Sequence, residues 1–324
     1  MTDGQDGGGK GPQVAEQQPP AAERQIRIAL VGGLDVYHAK FFSKIFNKLL
    51  IEENERQRLK DSGFPDMPAP AVVYSAWDED YNKTLALAAE YNIPYPCRHL
   101  DEALAKADAA IICDDAKMTH QHWAVPVMKS GLPYFHDKPF TPTYREAEEL
   151  MAQAEAHKAV MFSSSALAFS RELGELEPQL AREGGVTLAI AAGPVGRLLF
   201  YGIHPFTTLY TLFGPGVRSV TASGAGNQHA AKIEWQNGKT GLLVVDARAK
   251  GFSLMLHTPQ ACHQVKIIDS EYFYYNTMRH FLNMVLTGRI PVPWEQTLEI
   301  IKVLDALETA ARQQEYTVEF NFSG

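Results

Sequence analysis

The fold of this chain is decided by Gly131-Leu132-Pro133-Tyr134-Phe135-His136-Asp137-Lys138-Pro139-Phe140, where a short apolar run ends in an acid, a lysine and a proline. A lysine at the carboxyl end of a buried strand points into the crevice where open α/β sheets hold their ligands. Lys138 is therefore a candidate for chemistry. The alternative is a solvated lysine before a turn-forming proline. The elements on both sides of this segment favour chemistry.

Strands and helices alternate around this segment. The apolar run Ile26-Arg27-Ile28-Ala29-Leu30-Val31 is closed by Gly32-Gly33, which is typical of a buried parallel strand. Further strands are predicted at 71–77, 109–113, 134–135 and 159–162, and helices from about 38 and at 81–91, 100–106, 119–130 and 143–157. Right-handed crossovers between such units build a parallel sheet that is covered on both faces.

The pattern changes after about residue 165, where short strands follow one another through tight turns. These strands are predicted at 186–191, 217–223, 230–235, 241–247, 252–257, 265–268 and 316–322, with helices from about 206 and at 272–287 and 294–313. We predict an α/β chain in which a Rossmann-type parallel-sheet domain is followed by an α+β domain with a largely antiparallel open sheet. The expected divisions are a disordered tail at 1–24, the first domain at 25–142 and the second at 143–324. The helix at 143–157 and its following strand should pack on the first domain.

Composition excludes several classes of protein. A net charge of −8 over 324 residues and a pI near 5.8 argue against a nucleic-acid partner. No apolar run is long enough to span a bilayer, so we predict no membrane partner. Cys97, Cys113 and Cys262 are far apart, which favours neither disulfides nor a metal site and indicates a reduced, cytoplasmic protein.

Several spaced features together resemble the glucose-fructose oxidoreductase and inositol dehydrogenase (Gfo/Idh/MocA) family over 26–322. In the first half they are Asp78 after the second strand, the run 108–112 followed by His120, and a spacing of 18 positions from His120 to Lys138. Lys138 belongs to His136-Asp137-Lys138-Pro139, in which Asp stands where the family has Glu. In the second half they are Gly202-Ile203-His204 and the closing pattern over 281–294.

The resemblance implies a first domain that binds NAD, with NADP as the alternative, and a second that presents a small sugar, polyol or related substrate. It also implies a homodimer or homotetramer through the second sheet. Lys138 would hydrogen-bond the reacting hydroxyl and His204 would take or give its proton while hydride moves. The residues implied at the cofactor are Gly32, Gly33, Leu34, Asp78, Asp115, His120, Asp137 and Lys138.

The chemistry suits these residue types. Hydride leaves an alcohol more readily as its O–H proton departs, and histidine titrates near neutral pH. A lysine cation stabilises the developing alkoxide. An acid at Asp78 disfavours a 2′-phosphate, so it favours NAD over NADP. The structural alternative for Asp78 is a helix cap before Tyr81.

The glycine loop departs from the family pattern. A dinucleotide fold uses Gly-x-Gly-x-x-Gly so that backbone can approach the pyrophosphate at a helix amino end. Here Leu34 and Tyr37 stand at the second and third glycine positions, and Asp35 adds a negative charge. Both the side-chain bulk and the charge oppose phosphate binding, so we expect binding to be weakened, altered or lost.

The catalytic region departs as well. The family's aspartate four residues before the histidine is Phe200 here, and its later acid is Thr207. His204 then lacks a carboxylate partner, and its structural alternative is a core or helix-start histidine. Tyr201 would be either a proton donor or a core residue.

Two further alternatives stay open. The carboxylates of 114–117 could bind a polyol or cation, or form a solvated loop; we assign no metal. The whole chain could be a non-catalytic member of this fold that binds a small molecule or a protein.

Overall fold

The computed structural model describes residues 25–113, 120–194, 198–226, 228–313 and 317–320. The predicted tail at 1–24 and the candidate residue Asp115 lie outside these ranges. The strands are β1 (Ile26–Val31), β2 (Ala71–Trp77), β3 (Tyr95–Pro96), β4 (Ala109–Ile112), β5 (Tyr134–His136), β6 (Met161–Phe162), β7 (Leu188–Pro194), β8 (Val217–Ala225), β9 (Gln228–Trp235), β10 (Thr240–Asp246), β11 (Phe252–His257), β12 (Cys262–Ile267) and β13 (Thr317–Glu319).

The α-helices fall between and after these strands. They are α1 (Tyr37–Lys44), α2 (Glu53–Asp61), α3 (Tyr81–Tyr91), α4 (Leu100–Ala105), α5 (His120–Ser130), α6 (Tyr144–Ala156), α7 (Arg171–Arg182), α8 (Leu198–Tyr201), α9 (Ile203–Phe213), α10 (Ser270–Thr287) and α11 (Trp294–Arg312). A π-helical turn (Ile45–Leu49) continues α1, and a 3₁₀ turn (Ala166–Phe169) precedes α7.

The first sheet has the strand order β3-β2-β1-β4-β5-β6, and all its strands are parallel. Apolar side chains cover both of its faces. Ile28 and Leu30 of β1 pack into one core with α1, while Ala29 and Val31 pack into another with α5 and α6. This alternation confirms the predicted doubly covered parallel sheet, whose carboxyl edge holds the ligand crevice in such folds.

The second sheet has the order β12-β11-β7-β10-β9-β8-β13. All its neighbours are antiparallel except β7 and β10, which run parallel. Phe206 and Leu209 of α9 and Leu304 of α11 pack on one face of this sheet. The largely antiparallel sheet of the prediction is therefore confirmed.

Helix α10 returns to the first half of the chain. Its residues Met278, Phe281 and Leu282 are fully buried in the core that β1 and α1 share. Helix α10 thus packs on the face of the first sheet against which α1 and Leu34 of the glycine loop also pack.

Some elements differ from the predictions for identifiable reasons. Helix α7 was not predicted, and it contains Pro178, which normally argues against a helix interior. Helix α9 begins at Ile203 rather than Phe206, because Pro205 falls in the first turn, where a missing N–H costs nothing. His204 therefore lies inside the helix.

None of the described helices is long and apolar enough to cross a membrane.

Candidate active site

Lys138 leaves the carboxyl edge of the first sheet directly after β5. The backbone N–H of Asp137 donates to the carbonyl of Ile112 at 3.0 Å, so the ladder runs up to the residue before the lysine. The Lys138–Pro139 peptide bond is cis. Lys138 is only 4% exposed, so the solvated alternative was wrong. Its ammonium lies 4.4 Å from the centroid of the Phe200 ring, within the range of a cation–π contact.

Asp137 joins Lys138 to a buried histidine that the sequence did not single out. Its carboxylate is hydrogen-bonded to Nδ1 of His38, and Nε2 of His38 is hydrogen-bonded to the hydroxyl of Tyr274 at 2.9 Å. Burial raises the pKa of Asp137, but the charges of His38 and Lys138 and their hydrogen bonds bring it below its usual 3.8. The carboxylate is therefore ionised between two nitrogen bases.

His204 comes from the second half of the chain. Glycine at position 202 allows α8 and α9 to pack closely just before His204. A Cβ there would lie 2.2 Å from the carbonyl oxygen of Leu198 and would push α8 away from α9. Nδ1 of His204 is 2.8 Å from the hydroxyl of Ser165. Burial lowers the pKa of His204 well below 6.5, and the charges of Lys138 and His38 lower it further. The imidazole is thus neutral at pH 7.

Aromatic rings connect Lys138 to His204. The Phe200 ring under the ammonium is 5.2 Å from Tyr201, and Tyr201 is 6.0 Å from the His204 ring. The ring of Phe252, in β11, lies 5.3 Å from the His204 ring. Tyr201 is 38% exposed, so the core alternative for it was wrong. The two predicted catalytic residues therefore approach one aromatic-lined place, Lys138 from the end of β5 and His204 from α9.

The glycine loop is less obstructed than its sequence indicates. Gly32 and Gly33 have φ of 67° and 59°, a left-handed conformation that favours glycine. Leu34 is 1% exposed and packs into the core, so its side chain does not occupy the crevice. Tyr37 packs on Phe41 and Tyr274. The expected side-chain obstruction by Leu34 was therefore wrong.

The negative charge in this loop is paired. Asp35 accepts from the ammonium of Lys83, in α3, at 2.8 Å, and this hydrogen bond raises the pKa of the lysine. The first turn of α1 contains no acid. Asp35 is the only acid between Gly32 and His38, so the repulsion expected for a bound phosphate is reduced by Lys83.

Asp78 is buried at the end of β2, but it does not cap the next helix. The cap of α3 is Asp80, whose side chain accepts from the N–H of Asn82. The Asp78 carboxylate instead accepts from the N–H of Leu34 at 3.0 Å and from that of Asp80 at 2.9 Å. The helix-cap alternative was therefore wrong, and the carboxylate lies beside the glycine loop.

The remaining candidates belong to the segment before α5. Asp115 and its neighbours in 114–119 lie outside the described residues. His120 begins α5, but its side chain is likewise not among those described. Within the described ranges, no three His, Cys, Asp or Glu side chains lie together as a metal site would need.

Three functional candidates were missed from the sequence: His38, Tyr274 and Ser165. His38 stands 99 positions from Asp137, and Tyr274 stands 236 positions from His38. The one usable signal was a histidine in the first turn of the helix after a changed glycine loop. Ser165 offered no signal beyond a run of three serines.

We expect the ion pair between Asp35 and Lys83 to control the affinity for a dinucleotide. Lys83→Ala leaves Asp35 unpaired beside the loop, and it should weaken NAD binding roughly fivefold, as for the repulsion of about 1 kcal/mol between two unit charges about 4 Å apart in water. Titration calorimetry measures the affinity. Asp35→Asn with Lys83 kept should bind NAD at least as tightly as the parent. Equal weakening by both variants would contradict the charge argument.

Comparison with known proteins shows which family model and which solved structures this chain is similar to. Residues 36–165 match the GFO_IDH_MocA family, described as an oxidoreductase family with an NAD-binding Rossmann fold. A search of curated proteins finds no match.

Among solved structures, GenD2 from gentamicin A biosynthesis, in complex with NAD, is 17% identical, with a TM-score of 0.76 over 95% of this chain and 100% of that one. A putative myo-inositol dehydrogenase from Sinorhizobium meliloti is 16% identical, with a TM-score of 0.74 over 91% and 99%. The scyllo-inositol dehydrogenase from Lactobacillus casei with NAD(H) and scyllo-inositol is 14% identical, with a TM-score of 0.73 over 91% and 99%. These likenesses establish the fold of the whole chain. The GFO_IDH_MocA model matches the segment over 36–165, which spans most of the first sheet.

Proposed function

We propose that this protein is an NAD-dependent oxidoreductase that moves hydride between the cofactor and a CH–OH carbon of a sugar, polyol or sugar-derived acid. The observation that carries the proposal is the approach of Lys138, from the end of β5, and His204, from α9, to one aromatic-lined place. A protein that only binds a ligand has no need to bury a cation beside a neutral histidine. The non-catalytic alternative is therefore not favoured.

The described residues fit a dinucleotide. Gly32 and Gly33 keep the loop after β1 free of Cβ atoms, and α1 begins without an acid in its first turn. These features would hold a pyrophosphate at the helix amino end. The Asp78 carboxylate, buried beside the loop, would accept from a ribose hydroxyl, which favours NAD over NADP. Asp115 and His120 remain predicted contacts of the cofactor.

The bound nicotinamide would supply or accept the hydride, and the protein would handle the charge and the proton. The Lys138 ammonium donates a hydrogen bond to the reacting oxygen and stabilises negative charge there. Asp137 stays ionised and balances the lysine in a buried place. The reacting hydroxyl of the substrate gives its proton to, or takes it from, the pair formed by Lys138 and His204.

The aromatic rings favour a substrate with an apolar ring face. Phe200 and Tyr201 lie beside both reacting side chains, and aromatic faces pack well against the C–H face of a sugar or cyclitol. A solved relative of the same fold that is described with scyllo-inositol supports this substrate class.

Thermal unfolding tests the proposal at the level of the cofactor. NAD(H) present at 100 times its dissociation constant should stabilise the protein by roughly 2.7 kcal/mol. NADP(H) should give a smaller rise in Tm because of Asp78. Turnover is then followed at the absorbance of the reduced nicotinamide with inositols, hexoses and sugar acids. No rise in Tm with any of the four dinucleotides would contradict the proposal.

We also propose the finer features of organisation. Ile190, Leu242 and Met255 are neighbours across β7, β10 and β11 and remain partly exposed, so a second copy of the chain could cover this apolar row in a homodimer or homotetramer. The domain division near residue 142 stays a prediction. The three cysteines are not joined in disulfides, which supports a reducing, cytoplasmic setting.

A further inference from the structure

The hydroxyl of Ser165 has an unusual place in this site. Ser165 is fully buried in the segment that leads from β6 to the 3₁₀ turn. Its Oγ accepts from the N–H of Leu167 at 3.3 Å and lies 2.8 Å from Nδ1 of His204. Among the described residues it has no other hydrogen-bonding partner.

Counting hydrogens decides the direction of the contact. A serine hydroxyl has one hydrogen and two lone pairs, and a neutral imidazole carries hydrogen on only one of its nitrogens. The N–H of Leu167 already uses one lone pair of Ser165. If Nδ1 of His204 also carried hydrogen, the buried hydroxyl hydrogen would have no acceptor among the described residues, and an unmade buried hydrogen bond is costly.

We propose that Ser165 is a positioning residue, which donates its hydroxyl hydrogen to Nδ1 of His204 and thereby keeps the imidazole hydrogen on Nε2. A carboxylate partner acts in the opposite way, since it accepts from Nδ1–H and leaves Nε2 as a base. The replacement of the family's acid by Phe200 and the contact with the Ser165 hydroxyl therefore have the same effect on His204. Together they make its Nε2 a hydrogen-bond donor instead of a proton acceptor.

The consequence for catalysis rests on the proposed function. Nε2 has no hydrogen bond to any described residue, so its hydrogen is available to a substrate oxygen. A neutral imidazole can serve in this way as an electrophile. When a carbonyl substrate is reduced, a bound reduced nicotinamide would supply hydride to its carbon and the π pair would move to oxygen, which would take a proton from Nζ of Lys138. Nε2 donates to the same oxygen throughout and keeps its hydrogen, while Lys138 becomes a neutral amine.

Nitrogen-15 NMR of histidine-labelled protein tests the positioning directly. The two ring nitrogens of a neutral imidazole resonate at different frequencies according to which one carries hydrogen. The signals of His204 are assigned by their loss in His204→Gln, since the chain has 11 histidines. The wild-type protein should show the hydrogen on Nε2. A hydrogen on Nδ1 in the wild type overturns the proposal without any variant of Ser165.

Variants of the serine run supply the controls. Ser165→Ala should populate both tautomers of His204, and Ser165→Thr should restore the hydrogen to Nε2. Ser164→Ala is the matched control, because Ser164 is also buried but its hydroxyl donates to the backbone carbonyl of Ser165. It should leave the tautomer unchanged. An unchanged tautomer in Ser165→Ala would also overturn the proposal.

Kinetics separate this inference from the proposed function. Ser165→Ala should lower kcat roughly tenfold, as for the loss of one orienting hydrogen bond, with little change in KM, and Ser165→Thr should recover most of the loss. If the tautomer behaves as expected but wild-type protein turns over no substrate with NAD, the positioning of His204 stands and the proposed function fails. If turnover is observed while the tautomer lies on Nδ1, the proposed function stands and the positioning role fails.

Discussion

Lys138→Met is expected to lower kcat roughly 10²–10⁴-fold, because it removes both the charge that stabilises the developing oxyanion and the group that exchanges its proton. The affinity for NAD should change little, since the loop after β1 and Asp78 are untouched. Methionine keeps an unbranched side chain over the Phe200 ring, and a thioether contacts an aromatic ring favourably. Steady-state turnover and calorimetric binding of NAD measure the two quantities.

An exposed lysine provides the control for this experiment. Lys129→Met, in the last turn of α5, removes a lysine of the same size from the surface and should leave kcat unchanged. If Lys138→Met retained turnover within a few-fold of the parent, Lys138 would have no role in the chemistry.

Asp137→Asn is expected to lower the free energy of unfolding by about 3–5 kcal/mol, the usual loss when one partner of a buried ion pair is removed. The asparagine keeps the shape of the side chain but leaves His38 and Lys138 without their common carboxylate. Both are almost fully buried, so water cannot replace the lost charge. Chemical denaturation monitored by fluorescence measures the change.

The control for Asp137 is an exposed ion pair. Asp35→Asn breaks the contact with Lys83, in which the aspartate is 55% exposed, and should cost less than about 1 kcal/mol. If Asp137→Asn cost no more than Asp35→Asn, the buried carboxylate would contribute little to stability.

The pH dependence of stability provides a second measurement on Asp137. Its pKa in the folded protein lies below the usual 3.8, so between these values the unfolded chain binds more protons. The stabilisation by the carboxylate is therefore complete above about pH 5 and is lost as the pH falls through the folded pKa. In Asp137→Asn this part of the acid dependence should be absent.

The sequence predicted the site where one element carried the signal. Lys138 follows an apolar strand, so local pattern was enough to choose it, whereas His204 was chosen because Gly202-Ile203-His204 resembles a family motif. The partners of these residues could not be predicted, because they come from elements far along the chain. Ser165 reaches His204 across 39 positions and His38 reaches Asp137 across 99. No periodicity links such residues.

Local sequence also misplaced two side chains of the changed glycine loop. Leu34 at a glycine position reads as an obstacle, but its side chain enters the core. The charge of Asp35 indicates repulsion of a bound phosphate, but the ammonium of Lys83, in α3, pairs with this carboxylate. Both outcomes depend on which way a side chain leaves the backbone and on what the neighbouring helix presents there.

By itself, the sequence determined most of the strands and helices and the succession of a parallel and a largely antiparallel sheet, because apolar periodicity and turn residues act over a few neighbouring positions. Tertiary structure alone decided the protonation and partners of the site. A buried imidazole or carboxylate takes its charge from the groups that surround it in space, and for His204 and Asp137 those groups are brought together only when both sheets and α1 have packed.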